Sequence, residues 1–154
     1  MWQLRRDNNM ISNKSKRNNQ KKMYKNLINT KLIPTVIIKP EQGGKGVEFT
    51  KIIDNILENK EKHLCIFISP NRIASGNQTF ENFKKYFENH KEQIDVLHGG
   101  KAKSKDPDGY LYRAEKGQRL IMAINNGTRL KVIKEIIIGW CKKPGYKVEL
   151  FIDE

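Results

Sequence analysis

Apolar and polar positions along the chain follow two periods that take turns. Thr35-Val36-Ile37-Ile38 is a β-branched run of strand length, closed by Lys39-Pro40. Val47, Ile52, Ile53, Ile56 and Leu57 then recur mostly on one helical face, which predicts a helix to about Asn59. Leu64-Cys65-Ile66-Phe67-Ile68 is apolar at every position, the pattern of a strand buried on both faces of a parallel sheet. A helical stretch around Gln78 to Asn89 carries Phe80, Phe83, Tyr86 and Phe87 as its expected inner face. Ile94 to Leu97 and Arg119 to Ile124 read as further strands, with a helix from about Leu130 to Cys141 and a last strand, Lys147 to Ile152, entered through Pro144-Gly145. Residues 101 to 117 are polar and predict a surface loop with one short helix or turn near Tyr110 to Ala114. Ahead of all this, Met23, Tyr24, Leu27 and Ile28 predict a helix from Gln20 that stops before Leu32 and covers a sheet edge. Alternating strands and helices over this length predict repeated βαβ units: an α/β fold of three layers, αβα, with a mostly parallel sheet.

Composition narrows this picture only a little. The chain has 154 residues, 37% hydrophobic and 31% charged, which suits one globular domain. No apolar run approaches the ~20 residues a membrane helix needs, and Met1 to Arg6 lacks the apolar core of a signal peptide, so an intracellular, soluble protein with no membrane partner is expected. Cys65 and Cys141 each sit within an apolar stretch and read as buried free thiols. The formal charge of +13 suits a polyanionic partner such as nucleic acid, although a chain this rich in Lys, Asn and Ile also carries the residues of A/T-rich codons. Residues 1 to 19 are polar and basic without a sustained apolar period, and are expected to form a disordered or loosely attached arm.

The candidate chemistry lies where the strand at 35–38 gives way to Lys39-Pro40-Glu41-Gln42-Gly43-Gly44-Lys45-Gly46 and then to a helix. Strand, glycine-containing turn and helix gather backbone N–H groups and a helix N-terminus around one small volume suited to a phosphate, and Lys45 adds a mobile positive charge. The pattern G-x-x-x-x-G-K-[ST] is partly met: Lys39 stands at the first glycine position and Gly46 where the hydroxyl residue belongs. In a mostly parallel sheet ligands gather outside the carboxyl ends of the strands, and the predicted order puts Lys45, Arg72, Gly99-Gly100, Arg129 and Asp153-Glu154 along that one edge.

In this order the chain resembles the first RecA-like domain of superfamily 2 helicases, the DEAD-box and DExH group of P-loop NTPases, over about residues 20 to 154. Lys39 to Gly46 is similar to helicase motif I at Pro40, Gly44 and Lys45, and Phe151-Ile152-Asp153-Glu154 resembles the Walker B element, motif II. Ser69-Pro70-Asn71-Arg72 looks like motif Ia, His98-Gly99-Gly100 like the double-glycine element and Asn126-Gly127-Thr128-Arg129 like motif Ib. The resemblance implies ATP and Mg²⁺ as cofactors and the backbone of DNA or RNA as partner. Pro40, Gln42, Gly43, Gly44, Lys45 and Gly46 would surround the phosphates, with Gln20 matching the adenine-reading glutamine. Asp153 would hold Mg²⁺ through water, Lys45 would contact the β and γ phosphates, and Glu154 would orient the attacking water. Pro70, Arg72, Gly99, Gly100, Thr128 and Arg129 would hold the nucleic-acid strand.

Two departures from the family shape the expectation. Gly46 offers no oxygen where a hydroxyl normally ligates the metal, which favours binding over hydrolysis. The sequence also stops at the Walker B acids, so an incomplete RecA-like domain is expected, one whose full-length protein carries a second RecA-like domain with the arginine finger. The 154 residues are then the ATP-binding portion of a nucleic-acid-dependent ATPase, not competent to unwind by themselves. The alternative is a non-catalytic nucleic-acid-binding module with a degenerate phosphate loop; a small P-loop kinase would want a nucleotide lid and an acceptor site, and the sequence offers neither.

Overall fold

Strand β3 (His63–Ser69) holds the centre because it has no polar face: residues 64–69 are all buried. Its side chains alternate between two cores, Leu64, Ile66 and Ile68 on one side of the sheet and Cys65 and Phe67 on the other. The computed structural model describes residues 3–5, 27, 31–33, 35–39, 47–69, 81, 84–97, 106–124 and 127–153. These form a six-stranded sheet with β1 (Gln3–Arg5), β2 (Thr35–Lys39), β4 (Ile94–Leu97), β5 (Leu120–Ile124) and β6 (Lys147–Asp153) in the order β1-β2-β6-β3-β5-β4. All neighbours pair in parallel except β1, which runs antiparallel to β2 at the edge.

Helix α1 (Val47–Asn59) covers one face. Phe49, Ile53, Ile56 and Leu57, at helical spacing, are buried there with Ile37, Cys65, Phe67, Phe87, Met122 and Phe151. The Phe49 ring meets Phe67 and Phe151 edge-on, at centroid distances of 5.7 and 5.6 Å, so one aromatic pins the start of the helix to two neighbouring strands. Helices α2 (Pro107–Glu115) and α3 (Gly127–Trp140) cover the opposite face, where Tyr110, Ala114, Leu130, Ile133, Ile136, Ile137 and Trp140 join Val36, Ile66, Leu97, Ile121 and Leu150 of the strands. Gly139 lets α3 approach α2 closely, since a Cβ there would run into the Leu111 side chain. The sequence expectation of an α/β fold with a mostly parallel sheet and helices on both faces therefore holds.

Four local features differ from the sequence reading. Residues 3–5 of the basic amino-terminal segment form an edge strand on β2 and so are not a loose arm. Helix α2 starts at Pro107, well before Tyr110, because Asp106 caps it by accepting from the Asp108 N–H at 3.1 Å and Pro107 supplies a preset first helical residue. Tyr86 is 51% exposed and not on an inner face; its neighbour Phe87 takes the core position, after which the chain tightens into a 3-10 helix (Glu88–Gln93). Helix α3 begins at Gly127, so Thr128 and Arg129 lie in its first turn and not in a loop. Of the predicted amino-terminal helix, Leu27 is helical and buried, and Gln20, Met23, Tyr24 and Ile28 lie outside the described residues, as do Phe80 and Phe83.

The amino edge of the sheet is closed by one buried cation. Arg119, 7% exposed, donates to the carbonyls of Leu57, Lys60 and His63, at 2.8, 2.6 and 2.9 Å, and so satisfies the orphan carbonyls at the end of α1 while fixing the entry to β3. Trp140 works the same edge from the other face, its indole N–H shared between the Lys62 and Lys147 carbonyls. Arg119→Met, which keeps the stem and removes the donors, should cost about 3 kcal/mol in urea unfolding because buried carbonyls lose charged hydrogen bonds. A cost below about 1 kcal/mol would show that water replaces the guanidinium.

Cys65 is fully buried; Cys141 is half-buried and its thiol lies 3.4 Å from the Leu32 carbonyl. Burial, reinforced by the buried Glu149 carboxylate, pushes the Cys65 thiol well above the ordinary 9.0. A thiol raised on folding adds stability below the unfolded value and loses it as pH rises beyond. Stability should therefore fall in the alkaline range above 9.0. Cys65→Val should remove that component, and an unchanged alkaline slope in the variant would contradict it.

Candidate functional site at the carboxyl edge

Parallel pairing forces every strand except β1 to finish at the same edge. The register brings the last residues together: Lys39 of β2 is paired with Asp153 of β6, Ile68 of β3 with Ile152, and Ser69 with Ile124 of β5. The predicted phosphate loop thus leaves the sheet directly beside the strand that ends in the acidic pair, and α1 takes up the chain again at Val47.

Asp153 is half-buried at that edge. By strand alternation it shares a face with Phe151, the face covered by α1. Ser69 falls on the same face of the adjacent strand, one residue beyond the Ile68–Ile152 pair. The Ser69 residue is 0% exposed and its hydroxyl has no hydrogen-bond partner. A buried hydroxyl without a partner forgoes about 1 kcal/mol or more, and such atoms are uncommon in folded proteins. It lies at the carboxyl edge of the parallel sheet, in the register position beside Asp153. Thr50, also buried, lies in the first turn of α1.

Further along the edge, Thr128 is exposed and Arg129 half-buried at the start of α3. Tyr110 lies within electrostatic range of Arg129. Burial, followed by the Asp95 carboxylate, raises the Tyr110 phenol, while Arg113 and then Arg129 pull it down. The Tyr110 hydroxyl donates to the Val96 carbonyl at 2.8 Å, and Arg113 pairs with Asp95 at 2.7 Å, so α2 is locked onto β4 beside this corner.

The structure thus brings Asp153 to the point where β2 ends, and puts Thr128 and Arg129 at the same edge. Gln20, Pro40, Gln42, Gly43, Gly44, Lys45, Gly46, Pro70, Arg72, Gly99, Gly100 and Glu154 lie outside the described residues. Sequence reasoning did not single out Ser69 as a site residue, since a serine before Pro70 reads as turn material; only its burial beside Asp153 gives it weight. No described helix is long and apolar enough to cross a membrane. No protein-family model, curated protein or solved structure matches the chain.

Ser69→Ala should leave the fold intact and raise stability by about 1 kcal/mol, because it removes an unsatisfied buried hydroxyl. Urea unfolding checks this, and a loss of similar size would show that the hydroxyl is bonded within the protein.

Proposed function

We propose that the chain is the ATP-binding portion of a nucleic-acid-dependent ATPase of the superfamily 2 helicase type, with its α/β sheet as a RecA-like P-loop domain. The observation that carries this reading is the parallel pairing of Lys39 with Asp153, which sets the end of the strand before the glycine-containing turn against the end of the strand bearing Asp153-Glu154. A phosphate loop and an acidic metal-holding strand must be neighbours for such chemistry, and they are far apart in sequence here.

In this reading the Gly43 and Gly44 backbone, Pro40, Gln42 and Gly46 form the phosphate cradle, Lys45 neutralises the β and γ phosphates, and Gln20 reads the adenine. Asp153 would hold Mg²⁺, and Glu154 would orient the attacking water. A carboxylate oxygen is the kind of donor a hard cation takes, and Asp153 would supply one from the half-buried end of β6. Mg²⁺ would neutralise phosphate charge. Pro70, Arg72, Gly99, Gly100, Thr128 and Arg129 hold a nucleic-acid backbone along the remaining edge, which the net charge of +13 favours. One chain of this kind is assigned nucleotide binding and not unwinding, because strand movement in that family needs two RecA-like domains closing on the nucleotide.

Gly46 favours a second reading, a nucleic-acid-binding module that holds nucleotide without turning it over, since glycine supplies no metal-ligating oxygen. Titration of the chain with Mg-ATP tests the shared core of both. Lys45→Ala should weaken binding by at least about tenfold, equivalent to ~1.4 kcal/mol of lost phosphate contact. Equal affinity in the two proteins would sink the phosphate-loop assignment.

A further inference from the structure

Away from the carboxyl edge, two turns of α1 and the 3-10 helix bring together one group of metal-competent side chains among the described residues: Asp54, Glu58 and His90. Asp54 and Glu58 are four residues apart, hence stacked on one side of the helix. His90 Nε2 stands 2.8 Å from Asp54 Oδ1 and 3.5 Å from Glu58 Oε1, and the three donor atoms lie within 4.8 Å of one another.

The other ring nitrogen fixes what Nε2 presents to the carboxylates. Nδ1 lies 2.6 Å from Gln93 Oε1, an atom that can only accept, so Nδ1 carries the hydrogen and donates it. In neutral imidazole the Nε2 lone pair then points at two carboxylate oxygens, and three acceptors converge with no donor among them. A proton on Nε2 or a metal ion would relieve that convergence. A proton on Nε2 serves Asp54 at 2.8 Å and leaves Glu58, at 3.5 Å, outside hydrogen-bond reach. A metal ion would take all three: ligands about 2.0–2.2 Å from a tetrahedral ion stand roughly 3.3–3.6 Å apart, close to the Glu58–His90 spacing, with the 2.8 Å Asp54–His90 pair opening slightly around the ion.

We infer that Asp54, Glu58 and His90 form a binding site for a divalent transition-metal ion of the zinc class, with Gln93 orienting the imidazole from behind. An outer carbonyl partner for a ligating histidine is the usual means of holding the ring and raising its basicity. The site is also held in place before any ion arrives. Phe87, three residues before His90, is buried in the core under α1, and the two rings lie 6.5 Å apart, so the imidazole is only 15% exposed. The carboxylates are more open, at 40% and 55%, which leaves a fourth position for water. A nitrogen ligand favours zinc, cobalt or nickel over magnesium. Glu58 is eleven residues from the start of α1, roughly 16 Å along its axis, so this site is separate from the proposed nucleotide site and does not rest on it. Occupied, it would tie α1 to the segment leading into β4.

Calorimetric titration of the whole chain with zinc chloride, without nucleotide and in mildly alkaline buffer, tests the inference. Expected are one ion per chain, an upward shift in thermal midpoint with zinc, no competition from equimolar magnesium, and about tenfold weaker binding in Gln93→Ala. Glu58→Gln, at an exposed position that leaves the fold alone, should weaken binding at least as much, and His90→Ala should abolish it. Failure of the wild-type chain to bind zinc would overturn the site, leaving an imidazolium ion pair. Affinity unchanged in both Glu58→Gln and His90→Ala would overturn it too, by sending the ion elsewhere, for example to a thiol.

Discussion

The parallel pairing of β6 with β2 on one side and β3 on the other is the constraint from which the rest follows. Every residue from Val148 to Ile152 in β6 is buried, with Val148, Leu150 and Ile152 in one core and Phe151 in the other, so neither face tolerates a shift of register. A one-residue slip would turn Asp153 to the opposite face and bring an aliphatic residue into its place. With the register held, Lys39 and Asp153 are neighbours, although they are far apart in the sequence.

The two edges of the sheet divide the work. At the amino edge polar groups are matched: Arg119 takes three carbonyls, the Trp140 indole takes two, and His63 Nδ1 lies 3.0 Å from the buried Glu149 carboxylate. That edge is built for stability. At the carboxyl edge the buried Ser69 hydroxyl is left without a partner. The two edges differ in how completely their buried polar groups are met, and the proposed nucleotide site lies at the less satisfied one.

How much was legible depended on whether a signal was local. Strands β2, β3, β5 and β6 were readable because short apolar, mostly β-branched or aliphatic runs lie between turn-forming residues, and α1 because its apolar stripe is wide. Helix α2 was read as shorter than it is, since Asp106-Pro107-Asp108-Gly109 looks like a turn until its cap-and-proline start is recognised. Tyr86 and Phe87 are adjacent aromatics, and periodicity does not say which one the core takes. The strand at 3–5 has no pattern of its own and exists through pairing with β2. Arg119, Ser69 and the Asp54, Glu58, His90 group draw their meaning from neighbours dozens of residues away, which one sequence without a fold does not reveal. The joint position of Lys39 and Asp153 lay between these extremes, expected from the βαβ order and fixed in register only by the sheet.

The proposed anionic ligand would bind at the carboxyl edge where β2 and β6 end. Amide chemical-shift mapping of the isotopically labelled chain with Mg-ATP tests it most directly. The account predicts perturbations at Lys39, Ser69 and Asp153, with His63, Arg119 and Lys147 at the opposite edge unmoved. Perturbations confined to the amino edge, or none at saturating nucleotide, would contradict it.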